Sequence, residues 1–379
     1  MKPSLRIFIA TVSAGAGHSQ AAAALEEAWR LERPRDAITR LDALDFVPKL
    51  YRKVYVQTFV RLVEHAPDLW HYFFQKSDNP ALLRKLTRVR RTLAKWKAAR
   101  FIRQMRDFKP DVVLCTHFMP LEIAGRLKAK GRGQFQPLTV SVVTDFEAHA
   151  LWMEEGVDLY CVAAEETKAR LVARGAPAQV VLVTGIPIAQ KFSLPVKGPA
   201  MRRQMGLRDD LPVLLVLGGG FGLGPVAGIL AELNQVATPV QVGVVCGRND
   251  ELRCALATQN HRHPTHVLGF VTNMHEIMAA ADLIITKPGG LTTSEALAVG
   301  KPILVLNPIP GQEAANSDFL LENGAATKAN RIEDLPFRLE KLLGTPKLGE
   351  IARAAKSLGR PGAARAICQA VLKRMDDRG

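Results

Sequence analysis

With 379 residues, 47% of them hydrophobic, the chain is too long for one ordinary core and apolar enough to bury two. Its five cysteines (Cys115, Cys161, Cys246, Cys254, Cys368) are odd in number, far apart and form no C-x-x-C pair. That argues against a disulfide framework or a thiolate zinc site and suits a reducing cytosol.

At the start, "LRIFIAT" reads as a buried strand, "VSAGAGH" as a glycine-rich loop and Ser19 to Arg30 as a helix. Lys2, Arg6 and the small residues lend this segment a likeness to a secretory signal. Thr11 and Ser13 interrupt the apolar run, however, and cleavage would destroy a motif with functional character, so the segment is expected to be retained.

The net charge of +15 is unevenly spread: between Lys49 and Pro110, 16 Lys and Arg stand against 4 Asp and Glu. Within that stretch, Leu82, Leu86, Val89, Leu93 and Trp96 recur at helical spacing, while Arg84, Lys85, Arg88, Arg91 and Lys95 occupy other faces. Such a helix suits an anionic membrane surface, where each basic residue contributes about 1 kcal/mol. It equally suits a surface helix packed on its own domain. Nucleic acid is disfavoured because no recognised binding module accompanies the charge. Just upstream, Trp70, Tyr72, Phe73 and Phe74 form an aromatic cluster of the kind found at membrane interfaces.

Two more apolar strands follow, "DVVLCTH" and "PLTVSVVTD". After a linker near Phe192 to Ala200 the scheme restarts with "PVLLVLGGG", "VQVGVVCG", "HVLGF", "ADLIITKPGG" and "KPILVLN", separated by helical stretches. Strands alternating with helices imply parallel sheets covered on both faces, and two series imply two doubly wound α/β domains. The uncharged run from Leu211 to Ala231 has the length of a membrane span, but its glycine-crowded centre favours strand, loop and helix.

In open parallel sheets ligands bind beyond the carboxyl ends of the strands. "VLGGGFGLG" lies at such an end, where glycines let backbone amides approach an anion. It lacks the G-K-[ST] of a P-loop, and a strict G-x-G-x-x-G would need glycine where Leu223 stands. "TKPGGLTTSEALAVGKP" carries a stronger signal: proline and two glycines after a strand, then Thr292, Thr293 and Ser294 as helix starters, with Glu295 expected in the first turn. Exposed N–H groups there suit a phosphate and the carboxylate suits a pair of sugar hydroxyls, although a capping-box glutamate has the same spacing. In "NPIPGQEAANSDFL", Gln312 and Glu313 offer amide and carboxylate groups matched to hexose hydroxyls. The "HRHPTH" histidines are interrupted by proline, have no suitably spaced cysteine or carboxylate, and are expected to lie on a solvated loop.

Taken together, "TVSAGAGHSQAA", "VVTDFEAHALW", "KPGGLTTSEAL…GKP" and "PIPGQEAAN" resemble the monogalactosyldiacylglycerol synthase family, which includes bacterial processive diacylglycerol glucosyltransferases. The likeness runs in order from about Arg6 to Ala326. It implies a GT-B glycosyltransferase: two doubly wound Rossmann-like domains facing a central cleft, with acceptor- and membrane-binding residues 1–192, UDP-sugar-binding residues 193–355, and residues 356–379 as a helix returning to the first domain. Carried over by motif, Glu295 would bind the ribose, Gly289, Gly290 and Thr292 the diphosphate, and Gln312 with Glu313 the transferred sugar. Phe270, Val271 and Met274 of "GFVTNM" would line the uracil pocket, and Gly219, Gly220 and Gly222 would face the sugar-phosphate.

The implied reaction is inverting transfer of a hexose from a UDP-sugar to diacylglycerol, with galactose, glucose and glucuronic acid all open as donors. The base is His18 or Asp145. Gly17, His149 and Trp152 are candidates for the acceptor side, with His117 a weaker one; His149 could instead be a helix-start histidine bonded to backbone. The chain contains no D-x-D, so helix N-termini and glycine amides are expected to neutralise the leaving diphosphate without a tightly bound metal or other cofactor. The expected location is the inner face of the cell membrane, as a cytoplasmic peripheral enzyme on an anionic surface. Rival readings are transfer of N-acetylglucosamine to a lipid-linked peptidoglycan precursor, a UDP-sugar epimerase or hydrolase on the same fold, and a non-enzymatic basic binding protein.

Overall fold

The computed structural model describes residues 3–13, 15–48, 66–78, 99–130, 135–218, 225–306 and 308–378, with positions 52, 58 and 62. The chain divides into two compact units. The first comprises Met1–Gln190, Pro310–Gln312 and Gly362–Gly379, and the second Lys191–Ile309 and Glu313–Pro361.

The first unit runs β1 (Arg6–Thr11), α1 (Ala16–Glu32), β2 (Ala37–Asp42), α2 (Pro67–Ser77), α3 (Ala99–Phe108), β3 (Val112–Cys115), α4 (Phe118–Lys130), β4 (Leu138–Val142), β5 (Leu159–Val162), α5 (Glu165–Ala173) and β6 (Val181–Val183). Its strands pair in parallel in the order β2-β1-β3-β4-β5-β6. Successive side chains of a strand face opposite ways. Ile7 and Ile9 therefore pack with Leu25 and Trp29 of α1, while Phe8 and Ala10 pack with Phe101, Met105 and Leu121 on the other face. A sheet buried on both sides explains why "IFIA" is apolar without alternation.

The second unit repeats the plan with α6 (Gly198–Gln204), β7 (Val213–Leu217), α7 (Val226–Leu233), β8 (Gln241–Val245), α8 (Asp250–Ala257), β9 (Thr265–Leu268), α9 (Met274–Ala280), β10 (Leu283–Thr286), α10 (Gly290–Ala298), β11 (Ile303–Leu306), α11 (Gln312–Glu322), β12 (Ala326–Ala329), α12 (Leu335–Glu340) and α13 (Pro346–Leu358). The strand order is β12-β11-β10-β7-β8-β9, again parallel. Leu214, Val216, Val244, Ile285 and Leu304 build its core with Ile229 and Leu230 of α7. A last helix, α14 (Ala363–Asp376), belongs to the first unit, where Ile367, Cys368 and Val371 join the cluster around Trp29.

Among the described residues each sheet therefore has six strands. The uncharged run of 211–231 resolves into β7 and the start of α7, and no described helix is long and apolar enough to cross a membrane. Three expectations need correction. The first helix begins at Ala16, not Ser19, because Gly15 in extended conformation serves as its N-cap; Gly17 and His18 thus belong to the first turn. The helix after β10 begins at Gly290, not at the threonines. The "HRHPTH" group is not a solvated loop throughout: His263 is buried and its Nε2 lies 3.2 Å from the Val236 carbonyl oxygen, while His261 donates to Leu256. The basic stretch 79–98, which includes Arg84, Lys85, Arg88, Arg91 and Lys95, lies outside the described residues.

Candidate active site

Strand order alone locates two candidate regions. In the first sheet the chain turns outward to β2 on one side of β1 and to β3 on the other; in the second, β7 leads one way to β8 and β10 the other way to β11. Where the order reverses, neighbouring loops diverge and leave room for a ligand at the carboxyl ends of the strands. The β1–α1 turn and the strand ends at Thr116 and Thr144 meet at the first such point. The turn from β10 into α10 lies at the second.

At the first, His18 Nδ1 lies 2.9 Å from the Thr116 carbonyl oxygen and 2.9 Å from Thr144 Oγ1. A carbonyl can only accept, so Nδ1 carries the proton and Nε2 holds the basic lone pair. Thr116 Oγ1 in turn lies 3.0 Å from the His18 carbonyl oxygen and 3.0 Å from Thr11 Oγ1, fixing strand and helix together. Burial lowers the pKa of His18, against the pull of the Asp145 carboxylate and the bond to Thr116. The ring is thus neutral at pH 7, with an anion close by to support its charged form. His117 sets its ring edge-on to His18 with centroids 4.8 Å apart. It is held well below its ordinary pKa by burial and by His18 itself, and its Nδ1 accepts from the Met119 amide at 3.0 Å.

Asp145 is half-buried on the bend three residues past the end of β4. His149 is buried, and both its ring nitrogens are used. Nδ1 accepts the Leu151 amide at 3.0 Å, which starts a single helical turn, and Nε2 donates to the Phe74 carbonyl at 3.0 Å. This is the backbone-bonded, helix-start arrangement, with both ring nitrogens engaged within the protein. Ser77 Oγ and Asp78 also lie near Nε2, at 3.2 and 3.7 Å. The serine cannot be activated there, because that nitrogen already carries the proton. Trp152 is likewise a core residue, edge-on to Phe118 with centroids 6.3 Å apart, and Gly17 is half-buried in α1.

At the second point, Gly289 is the N-cap of α10 and no side chain caps the helix. The hydroxyls expected to do so point elsewhere: Ser294 Oγ donates to the Gly290 carbonyl at 2.8 Å, and Thr293 Oγ1 is buried with no hydrogen-bond partner. Thr292 is half-buried in the first turn. The early N–H groups of Gly290 and its neighbours are therefore left to an external acceptor, with the helix dipole favouring an anion. A methyl group added at Gly289 would meet Glu313 Oε1 at 3.9 Å, so the glycine leaves open space in front of that carboxylate. Glu313 Oε2 accepts the Ile309 amide at 2.8 Å, which orients it. Glu295 sits in the second turn, not the first, where burial pushes its carboxyl up to about 8 against the opposing charge of Lys191. It makes no capping box. Gln312 Oε1 is buried without a hydrogen-bond partner in the 310–312 segment that groups with the first unit.

Phe270, just past β9, is 62% exposed and therefore not core, and the Arg248 guanidinium lies 5.1 Å from its ring centroid. Val271 and Met274 beside it are half-buried, and Lys191 Nζ donates to the Thr272 carbonyl in the same segment. Gly219, Gly220 and Gly222 lie outside the described residues. Among the described residues no three His, Cys, Asp or Glu side chains gather as a metal site. Thr116, Thr144, Arg248 and Lys191 were not singled out by sequence; the first two could have been, as hydroxyls ending the strands beside a candidate histidine.

Residues 18–188 match the family model described as monogalactosyldiacylglycerol (MGDG) synthase, and residues 213–360 match the glycosyltransferase family 28 C-terminal domain. A processive diacylglycerol beta-glucosyltransferase of Bacillus pumilus is 29% identical over 99% of this chain and 97% of its own length. One from Bacillus cereus is 31% identical over 97% of this chain and 93% of its own. Among solved structures, MurG of Acinetobacter baumannii superposes with a TM-score of 0.60 at 16% identity, over 98% of this chain and all of that one, which shows the same GT-B fold. The chain belongs to the monogalactosyldiacylglycerol synthase family of glycosyltransferases.

Proposed function

We propose that the protein transfers a hexose from a UDP-sugar to diacylglycerol with inversion, making a membrane glycolipid. Family membership over the whole chain supports the reaction, and the observation that carries the mechanism is the neutral His18 ring with Nδ1 tied to a carbonyl and Asp145 beside it. His18 Nε2 takes the proton from the acceptor hydroxyl as its oxygen attacks the anomeric carbon. The bond from that carbon to the UDP oxygen breaks on the opposite face, and Asp145 stabilises the imidazolium that forms. The departing diphosphate carries its charge to the N–H groups at Gly289 and Gly290, where fixed dipoles act without reorganising. Thr292 adds a donor, Glu295 receives the ribose hydroxyls, Gln312 and Glu313 hold the sugar, and Phe270, Val271 and Met274 flank the base. No tightly bound metal is needed on this reading. Gly219, Gly220 and Gly222 complete the phosphate contacts, and Gly17 lets the acceptor approach His18.

The acceptor is drawn from the bilayer, so the basic stretch 79–98 and the exposed Leu69 and Tyr72 of α2 are assigned to an anionic surface at the inner leaflet. Nucleic acid is not a partner. Purified protein is to be incubated with diacylglycerol in anionic vesicles and a panel of UDP-sugars, UDP-glucose first because the relatives are named glucosyltransferases. Glycolipid should form at a rate that EDTA leaves within twofold. No product from any donor overturns the reading, and EDTA-sensitive turnover overturns the metal-free mechanism. Changing Arg84, Lys85, Arg88 and Arg91 to glutamine should abolish vesicle binding and leave UDP affinity intact; loss of both means that the stretch is structural.

A further inference from the structure

The segment 143–151 is held from both sides. On one side the Val143 amide donates to the Cys161 carbonyl at 2.9 Å, and Thr144 Oγ1 meets His18. On the other, Thr167 Oγ1 donates to the Phe146 carbonyl at 2.6 Å, Arg170 pairs with Glu147 at 2.9 Å, and Arg174 Nη1 donates to the Ala148 carbonyl. The Ala150 amide then donates to Asp78 Oδ1 at 2.8 Å, while the other oxygen of Asp78 takes Arg174 Nη2 at 2.6 Å. His149 closes the arrangement through its bond to Phe74 at the end of α2. One carboxylate and one guanidinium, 96 residues apart, thus clasp a single loop between the end of α2 and the end of α5. Arg174 is only 11% exposed at its side chain, so the pair is shielded enough to count energetically. Asp145 stands between the two anchored stretches.

We infer that Asp78, Arg174 and His149 are positioning residues, which clamp the 146–150 segment so that Asp145 is presented to His18. The inference rests on the role given above to His18 and Asp145. It gives the end of α2 a part in holding Asp145, through bonds to the loop and not through any contact with substrate that the role requires. Charged and titratable neighbours of His18 are Asp145 from the loop after β4 and His117 from the loop after β3. Asp145 raises the pKa of His18, so releasing the clasp removes that support and the pKa of His18 falls further.

The test uses the full chain with isotope-labelled histidine, His18 being assigned by the signal missing in His18→Gln. In Asp78→Asn the His18 titration should move to lower pH, and kcat for glycolipid formation should fall at least tenfold, while KM for the UDP-sugar stays within twofold. Should Asp78→Asn fail to fold, Arg174→Gln serves in its place, with Arg174→Lys expected to recover part of kcat. An unmoved His18 titration in a folded variant overturns the inference, as does a loss that falls on KM for the donor. His18→Ala and Asp145→Asn run in parallel: full activity there refutes the catalytic reading, whereas their inactivity beside an active, unshifted Asp78→Asn refutes the clasp alone.

Discussion

The turns into α1 and α10 use one device to different ends. In each, a buried parallel strand runs into a helix whose N-cap is a glycine, Gly15 or Gly289, making no side-chain cap. The first turn of α1 carries a histidine, whose cation would be disfavoured by the positive helix end and by burial, so it rests neutral and can accept a proton. At the start of α10 the Thr293 hydroxyl is buried and that of Ser294 bonds back to the Gly290 carbonyl, so neither caps the helix and its first N–H groups are open to an anion. A glycine N-cap leaves donors unclaimed; in the function proposed above, the side chains that follow, and the strand ends beside them, decide whether the place serves as a base or as an anion seat.

The largest effect should come from emptying the first place. His18→Ala is expected to lower kcat by about 10²- to 10⁴-fold, with UDP affinity within twofold by calorimetry; a matching loss of UDP binding would mean the two places are not separable. Next, filling the second: Gly289 has an ordinary φ of −64° and its added methyl meets no atom closer than 3.9 Å. Gly289→Val should therefore keep its melting temperature and raise KM for the UDP-sugar by roughly tenfold, since about 1.4 kcal/mol of lost contact is a factor of ten. An unaltered KM would remove Gly289 from the donor site.

Glu295 sharpens the comparison through pH. Its carboxyl, pushed up to about 8 from 4.5, keeps in the folded chain a proton that the unfolded chain releases. Stability therefore falls as pH rises from 4.5 to 8, since there the folded state binds more protons. Thermal melts should show that decline in the parent and a flatter profile in Glu295→Gln, which should also melt higher above pH 8; parallel profiles would refute the burial. The smallest effect is expected for Arg248→Ala. Loss of an exposed cation–ring contact is worth about 0.5–1 kcal/mol, a two- to fivefold rise in KM for the donor with kcat unchanged.

Legibility in the sequence followed burial. "RIFIAT", "VLLVL" and "LIIT" are buried on both sides and read as strands. "AITRLD" and "ATKA" lie at sheet edges, half-exposed and mixed in polarity, and β6 is an edge of three residues, so none signalled itself. The buried "LYCV" of β5 is as long as "LIIT" but holds a tyrosine and a cysteine where that strand has two isoleucines, and it went unread. Gly289 and Glu295 could be picked out because they stand in one contiguous strand-to-helix motif, and Glu313 because its partner Ile309 is four residues away. Thr144 could have been noticed as a hydroxyl just past a strand, but its bond to His18, 126 residues away, could not; Asp78 offered no such signal, because its partner Ala150 lies 72 residues away. Helix starts were misjudged for one reason: threonine and serine are good caps, but a glycine upstream claimed the position in both turns.

The packing of α14 against α1 has a consequence for biosynthesis. Ile367, Cys368 and Val371 are fully buried in the cluster of Leu25 and Trp29, yet they are translated only after the entire second unit. The unit that emerges first from the ribosome is therefore the last to be completed, and until then an apolar face of α1 stands open to water and to other nascent chains.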